Sequence, residues 1–273
     1  MNNKNLTIKE TFASAVQNHQ KNFFKIAENL YKEILKINPN HFESIFYLGT
    51  LLVQTERFEL AKSLLYKATQ INPNYADAHN NLGATLKELG EYQNAINCYK
   101  KAIQIQPNLE SAHFNLGLVF KELGEFTKAI SNFKKAIQIN PNYIIAHQNL
   151  MEAYEKTNQE RELKSAISNA RTFFKDNSII KLYEGILLNR NEKFVEAKNC
   201  LELISFGADE INKEILRVST LAKCYDRIGN TDKAFNYFKK ANLLSKFEHL
   251  KLQTLILFLD LFFRKLPLNF GVH

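Results

Sequence analysis

The sequence predicts an all-α protein built as a solenoid of short helical hairpins, and three observations carry that expectation. The stretch 78–108, AHNNLGATLKELGEYQNAINCYKKAIQIQPN, returns at 112–142 as AHFNLGLVFKELGEFTKAISNFKKAIQINPN, with 20 of 31 positions identical at an offset of 34 residues. A period of that length is too short for a domain, so each copy is one supersecondary unit that needs a neighbour to bury its apolar face. Within a copy the apolar spacing is helical twice, first at Leu82, Leu86 and Leu89, then at Ile96, Tyr99, Ile103 and Ile105. Four of the five prolines stand at 39, 73, 107 and 141, each 34 residues from the next.

The two helices of a copy are delimited by their punctuation. Gly90 takes the left-handed conformation without a side-chain penalty, so helix A is expected at about 76–89 and helix B at about 93–105. Gln106-Pro107 stops helix B, because a residue before proline is pushed out of the helical region. Gly83 and Ala95 each face the partner helix, where a small side chain permits close axial approach.

These residues resemble the tetratricopeptide repeat. His79, Leu82, Gly83, Leu86, Ala95, Tyr99, Ala102 and Pro107 fall on that repeat's positions 4, 7, 8, 11, 20, 24, 27 and 32. His113, Leu116, Gly117, Phe120, Ala129, Phe133, Ala136 and Pro141 do so one repeat later. The resemblance implies a right-handed superhelix of about seven helix-turn-helix units, a concave groove that binds protein or peptide segments, and no cofactor.

In chain order, a degenerate unit is expected at 8–41, where Ala27, Tyr31 and Pro39 fit but Ser14 and Ala15 replace the Leu-Gly pair, as in a terminal cap. Unit 42–75 is regular, with Leu48, Gly49, Ala61, Leu65 and Pro73, and the two strong copies follow at 76–109 and 110–143. Unit 144–177 keeps His147 and Leu150 but has Met151 for the glycine and Leu163 for the first alanine, which predicts a wider helix pair. Unit 178–211 keeps Gly185 and Ala197, three extra residues (212–214) come next, and register returns at 215–248 with Leu221, Gly229, Ala234, Phe238 and Ala241.

The remaining composition argues mostly by exclusion. Cys98, Cys200 and Cys224 have neither disulfide-framework nor zinc spacing, and MNNKNLTIKE has no apolar signal core, so a reducing, cytoplasmic setting is expected. The net charge of +8 is carried partly by lysine pairs on helix B, at 100–101, 134–135 and 239–240. They alternate with acidic residues as a solvated face does, and no aromatic-basic interleaving points to nucleic acid. No phosphate loop, HExxH, GxSxG or ligand-spaced Cys/His cluster is written in the chain, so an enzyme, a metal site and a cofactor site are not expected. The periodic His79, His113 and His147 read as packing residues rather than metal ligands.

The inner face of helix A is the candidate site. Position 6 of three successive units is asparagine, at Asn81, Asn115 and Asn149, with Tyr47 and Tyr183 at either end of the row. An amide offers an acceptor and two donors, and so can hold the N–H and C=O of an extended peptide. Neighbouring A helices lie roughly 10 Å apart and an extended chain rises about 3.3 Å per residue, so one rung meets every third ligand residue. The arrangement resembles the asparagine ladder in the superhelix of O-linked N-acetylglucosamine transferases. Phe46, Asp77, Asn80, Lys87, Phe114, Lys121 and Gln148 are candidates on the same groove. The clamp of chaperone-binding relatives needs Lys at position 5 and Asn at position 9, where this chain has Phe46 and Thr50, Asn80 and Ala84, Phe114 and Leu118, so that partner is not expected.

Two further expectations concern the C-terminal part. The last unit, LAKCYDRIGNTDKAFNYFKKAN, resembles the repeat before the catalytic domain of bacterial tetratricopeptide sulfotransferases, which implies a substrate-positioning role in a transferase as the alternative to a free-standing scaffold. Nothing after Asn242 supplies the phosphate-binding loop such an enzyme needs. Residues 250–263, LKLQTLILFLDLFF, are apolar on every helical side yet too short to span a bilayer, and read as a cap, a contact surface or a non-native end through which the chain self-associates.

Overall fold

The computed structural model describes the backbone of residues 2–264 and the side chains of residues 7–249. Among these the chain is a run of α-helical hairpins: α1 (Asn2–Gln20) with α2 (Phe24–Ile37), α3 (Phe42–Gln54) with α4 (Phe58–Ile71), and α5 (Ala76–Glu88) with α6 (Tyr92–Ile105). There follow α7 (Glu110–Glu122) with α8 (Phe126–Ile139), then α9 (Ile144–Lys156) and α10 (Glu160–Phe173) in succession, then α11 (Ser178–Arg190) with α12 (Phe194–Glu202), and α13 (Ile211–Arg227) with α14 (Thr231–Arg264). They form two compact units whose boundary falls between Ala153 and Tyr154, inside α9.

One backbone feature ends helix A every time. Asn22, Glu56, Gly90, Gly124, Asn158, Glu192 and Gly229, all at repeat position 15, have φ between 56° and 86°. The left-handed residue lets the next N–H reach back to a carbonyl of the last helical turn, as in Glu91 to Leu86 at 2.8 Å and Arg57 to Leu52 at 2.9 Å. That turn aims helix B back along helix A. The steps between these residues are 34, except for 37 between Glu192 and Gly229, which locates the insertion.

Packing within a hairpin turns on the glycine at position 8. A Cβ built on Gly83 would sit 2.8 Å from the Tyr99 ring, one on Gly117 2.6 Å from Phe133, and one on Gly49 2.8 Å from Leu65. Ala61, Ala95 and Ala129 at position 20 are fully buried beside them. The loop from helix B to the next helix A is equally regular. Asn38, Asn72 and Asn140 accept the N–H of the residue two further on, at 3.2, 3.3 and 3.1 Å. Nε2 of His79, His113 and His147 lies 2.9, 3.0 and 2.9 Å from the carbonyl of the proline six residues earlier. The periodic histidines are therefore straps that hold each helix A to its incoming loop; for His147, burial lowers the ring pKa and keeps the ring a neutral donor.

The insertion is not where the sequence suggested. Residues 212–214 lie inside α13, which is 17 residues long, and the irregular backbone is upstream, because α12 stops at Glu202 after 9 residues. A buried ion cluster explains the shift. The Glu214 carboxylate accepts from Arg217 Nε at 2.7 Å and Nη2 at 2.6 Å, from Lys240 Nζ at 2.9 Å, and from the Phe206 N–H at 3.2 Å. Arg217 Nη1 donates to the Leu201 carbonyl at 3.1 Å, so one carboxylate and one guanidinium tie the end of α12 and the irregular segment to α13 and α14. Burial raises the Glu214 pKa, but the bonds from Arg217 and Lys240 outweigh it and hold it at about 2. The apolar side chains of 250–263 lie outside the described residues, although the α14 backbone continues to Arg264.

Three outcomes are expected. Gly117→Leu should destabilise by about 1–3 kcal/mol or more in thermal melts, because the ring of Phe133 already occupies the space. Glu56→Gly or Glu192→Gly should instead raise the melting temperature, since an L side chain costs roughly 1–2 kcal/mol in the left-handed region and glycine removes most of that cost. Glu214 is held ionised below its ordinary value of 4.5, so its contribution is complete above that pH and is lost as pH falls towards about 2. Glu214→Gln should cost about 3–5 kcal/mol at neutral pH and flatten the acid limb of the stability curve between those values.

Candidate ligand groove

At 100° per residue, position 6 lies about 200° around helix A from the glycine that touches helix B. Asn81, Asn115 and Asn149 therefore sit on the side of α5, α7 and α9 turned away from the B helices, within the first compact unit. There they do not stand alone. Asn115 Nδ2 donates to Asn80 Oδ1 at 3.1 Å, Asn80 Nδ2 to Asn81 Oδ1 at 3.4 Å, and Asn81 Nδ2 to Thr50 Oγ1 at 3.1 Å. The Thr50 hydroxyl in turn donates to the Phe46 carbonyl at 3.0 Å. The result is a single-direction relay of donors running from α7 across α5 to α3, in which each bond polarises the next.

A second polar bridge joins α7 to α9. Lys121 Nζ donates to Asn149 Oδ1 at 2.7 Å and to Glu152 Oε2 at 3.0 Å, while Asn149 Nδ2 donates to the carbonyl of Ile145 on its own helix at 2.9 Å. Counting donors and acceptors separates the three asparagines. Asn81 keeps one N–H and one lone pair, and Asn115 keeps one N–H and both lone pairs of its oxygen. Both are half-buried. Asn149 is 5% exposed and held on both sides of its amide, so it is the least available of the three.

The other sequence candidates divide by environment. Phe46 stacks on Phe42 and meets Tyr75 edge-on at 5.0 Å, and Phe114 packs on Phe133 and Tyr143 at 5.8 and 4.9 Å; at 7% exposure each, they hold the helices together and offer a ligand little surface. Asn80, also 7% exposed, serves as the middle of the relay. Tyr47 closes the row in an aromatic group with Phe12, His19 and Tyr31 at 5.6–6.4 Å. In the second unit Tyr183 is buried. Lys87 lies 2.5 Å from Glu88 and 3.8 Å from Glu122, so this lysine, like Lys121, is neutralised by acidic neighbours. Asp77 titrates above its usual range, first because it is half-buried and second because Glu110 is near. Gln148 remains half-exposed beside Asn149. Thr50 and Glu152 are the members that sequence reasoning did not place in the groove; their signal was the shared position 9, one turn from position 6.

No group of His, Cys, Asp and Glu among the described residues has the arrangement of a metal site. Burial pushes the thiols of Cys98, Cys200 and Cys224 up to about 11, so they are protonated and poorly nucleophilic at neutral pH. A second concavity of about 600 Å³ lies between the B helices α4 and α6, floored by Leu82 and Leu86 and bordered by Tyr66 and Cys98. The Lys62–Glu91 pair, 2.5 Å apart, lies along it, and its carboxylate and ammonium satisfy each other. No described helix is long and apolar enough to cross a membrane.

Comparison with known proteins agrees with this architecture. Profiles described as TPR repeat and tetratricopeptide repeat match residues 85–124, 111–143 and 219–246, and the profile of anaphase-promoting complex, cyclosome, subunit 3 matches 17–102. No curated protein matches the sequence. Among solved structures, MamA is 29% identical, with a TM-score of 0.55 over 59% of this chain and 94% of its own. A tetratricopeptide repeat protein from Parabacteroides merdae is 17% identical, with a TM-score of 0.61 over 88% of this chain and 93% of its own. YrrB, described as a TPR protein with an unusual peptide-binding site, is 19% identical, with a TM-score of 0.53 over 65% of this chain and 95% of its own.

Proposed function

The chain is a tetratricopeptide-repeat protein, and on that premise we propose that it is an interaction scaffold whose A-helix groove in the first unit binds an extended protein segment through Asn81 and Asn115, with Asn149 as a weaker third rung. The observation that supports this reading most is the relay itself. A hydrogen-bonded row from Asn115 to Thr50 fixes the amides in orientation before any ligand arrives, so their spare groups meet a peptide backbone with little further loss of side-chain entropy. YrrB shares only the fold with this chain, yet it is a protein of the same architecture described as binding peptide.

Magnitudes limit the role of the rungs. A net gain of roughly 0.5–1.5 kcal/mol per hydrogen-bonded group gives about 2–5 kcal/mol for three rungs, short of the roughly 8 kcal/mol of micromolar affinity. The ligand's side chains supply the rest, against Asp77, Gln148 and the partly exposed edge of Tyr47. Lys87 and Lys121 are already matched by Glu122 and Glu152, so a terminal carboxylate finds no free ammonium on this row. A free-standing adaptor and the substrate-holding part of a transferase would use the same groove, and the binding test is the same for both.

Asn81→Ala combined with Asn115→Ala should weaken a peptide selected by display against the whole chain about tenfold or more by calorimetry, with helicity unchanged. Asn94→Ala with Asn97→Ala on the outer helix should leave affinity alone. Equal affinity in the first pair would remove the ladder from the account.

A further inference from the structure

Three departures from the repeat meet at the concavity between α4 and α6. Position 21 of helix B is Ile96 and Ile130 in the two strong copies, and these side chains are only 5 and 8% exposed. In the unit before them it is Lys62, whose ammonium turns across to Glu91 on α6. Glu28, at the same position one unit earlier, likewise reaches across to the next hairpin, where Arg57 Nη1 and Nη2 hold it at 3.1 and 2.8 Å. The branched aliphatic filler of the α4–α6 seam is therefore missing. Position 11 of the helix beneath is Leu86, where the next unit has the larger Phe120, and position 25 is Tyr66, where Lys32, Lys100 and Lys134 stand in the neighbouring units. Departures from a chain's own pattern that gather on one cavity point to function more than to packing.

The cavity has the size and lining of a small-molecule site. Its volume is about 600 Å³, inside the range of roughly 300–1,000 Å³ usual for such sites. Leu82 and Leu86 form the floor, the 58% exposed ring of Tyr66 stands at the side, and the protonated thiol of Cys98 adds no charge. The rim is acidic on a basic chain. Glu91 is engaged at both oxygens, by Lys62 Nζ at 2.5 Å and Asn94 Nδ2 at 2.8 Å. Glu59 is exposed, and its carboxylate has no ion pair or hydrogen bond among the described residues. Two carboxylates against one ammonium leave the mouth at −1, while the whole chain carries +8.

We propose that this cavity binds a small organic cation with an elongated apolar body. Glu59 and Tyr66 share one face of α4 at a spacing of seven residues, about 10 Å along the axis, so the ligand lies between them. Its cationic head meets the unpaired carboxylate of Glu59, and its body runs over Leu82 and Leu86 to the ring of Tyr66. There it takes the space that an isoleucine and a phenylalanine occupy one seam later. None of the lining residues belongs to the proposed peptide groove, so the two sites stand or fall separately.

Methyl NMR of the full chain, titrated with decylammonium below its micelle concentration, tests this. The expected result is saturable shifts of the Leu82 and Leu86 methyls, with decanesulfonate of the same chain length binding about threefold or more weakly at low salt. Lys62→Ile and, separately, Leu86→Phe copy the residues of the next seam. Each should weaken decylammonium about tenfold or more, by displacing about two methylenes of its chain, and leave the melting temperature unchanged or raised. Either variant suffices if the other folds poorly. Equal affinity in the parent and the filled variants would overturn the proposal, as would equal binding of the two amphiphiles or an absence of shifts at both leucines. A peptide that moves these methyls where decylammonium does not would make a protein segment the occupant, and would overturn it too.

Discussion

The contact on which the fold depends is a large side chain pressed onto a residue without one. Tyr99 on Gly83, Phe133 on Gly117, Leu65 on Gly49 and Leu201 on Gly185 set the separation of helices A and B in four hairpins, and in each a single added carbon would lie within 2.8 Å of the facing side chain. The ring matters more than its polar end. The Tyr99 hydroxyl is buried with no hydrogen-bond partner, and Phe133 fills the same place one repeat later with none to satisfy. Fixing that distance fixes the rotation of helix A, and with it the line along which position 6 of each repeat projects. The groove is a consequence of this packing, not a separate construction.

The periodic parts of this arrangement could be read directly from the sequence. Prolines every 34 residues marked the loops, Gly90 and Gly124 marked the turns, and the Leu-Gly pairs marked the close crossing, because each is a residue type with one dominant physical reason to be there. Other parts could not be read. Glu56 and Glu192 adopt the left-handed turn without being glycine, since the hairpin geometry around them overrides a local cost of about 1–2 kcal/mol. The insertion was misplaced by several residues because sequence register ignores the buried Glu214–Arg217 cluster, which lengthens α13 at its start. In the groove the row of asparagines was visible, but not that Asn80 and Thr50 would join it into one relay, or that Lys121 would occupy Asn149. Apart from the bond between neighbours Asn80 and Asn81, those are contacts between residues 28 to 35 apart, and periodicity gives their positions without their partners.

Charge is distributed in the same economical way. The chain carries +8 overall, yet Lys87 and Lys121 face Glu122 and Glu152 on the next helix, while the helix-B lysines 100, 101, 134 and 135 are exposed. The proposed groove therefore offers oriented amides more than net charge, which is the basis for proposing recognition of backbone over recognition of an acidic or basic tail. On α14 the large apolar side chains Phe235, Leu243 and Phe247 are more than half exposed.

The central claim is that the inward amides of the first unit are oriented in advance and are the groups a ligand meets. Side-chain amide resonances in nitrogen-15 NMR of the chain, followed during titration with a selected peptide, test it most directly. The account predicts that the NH₂ signals of Asn81 and Asn115 are dispersed and slow to exchange in the free protein and shift on binding, while those of Asn94 and Asn97 on the outer helix stay still. Shifts confined to the outer helix, or free-protein signals for Asn81 and Asn115 averaged like those of an exposed asparagine, would contradict it.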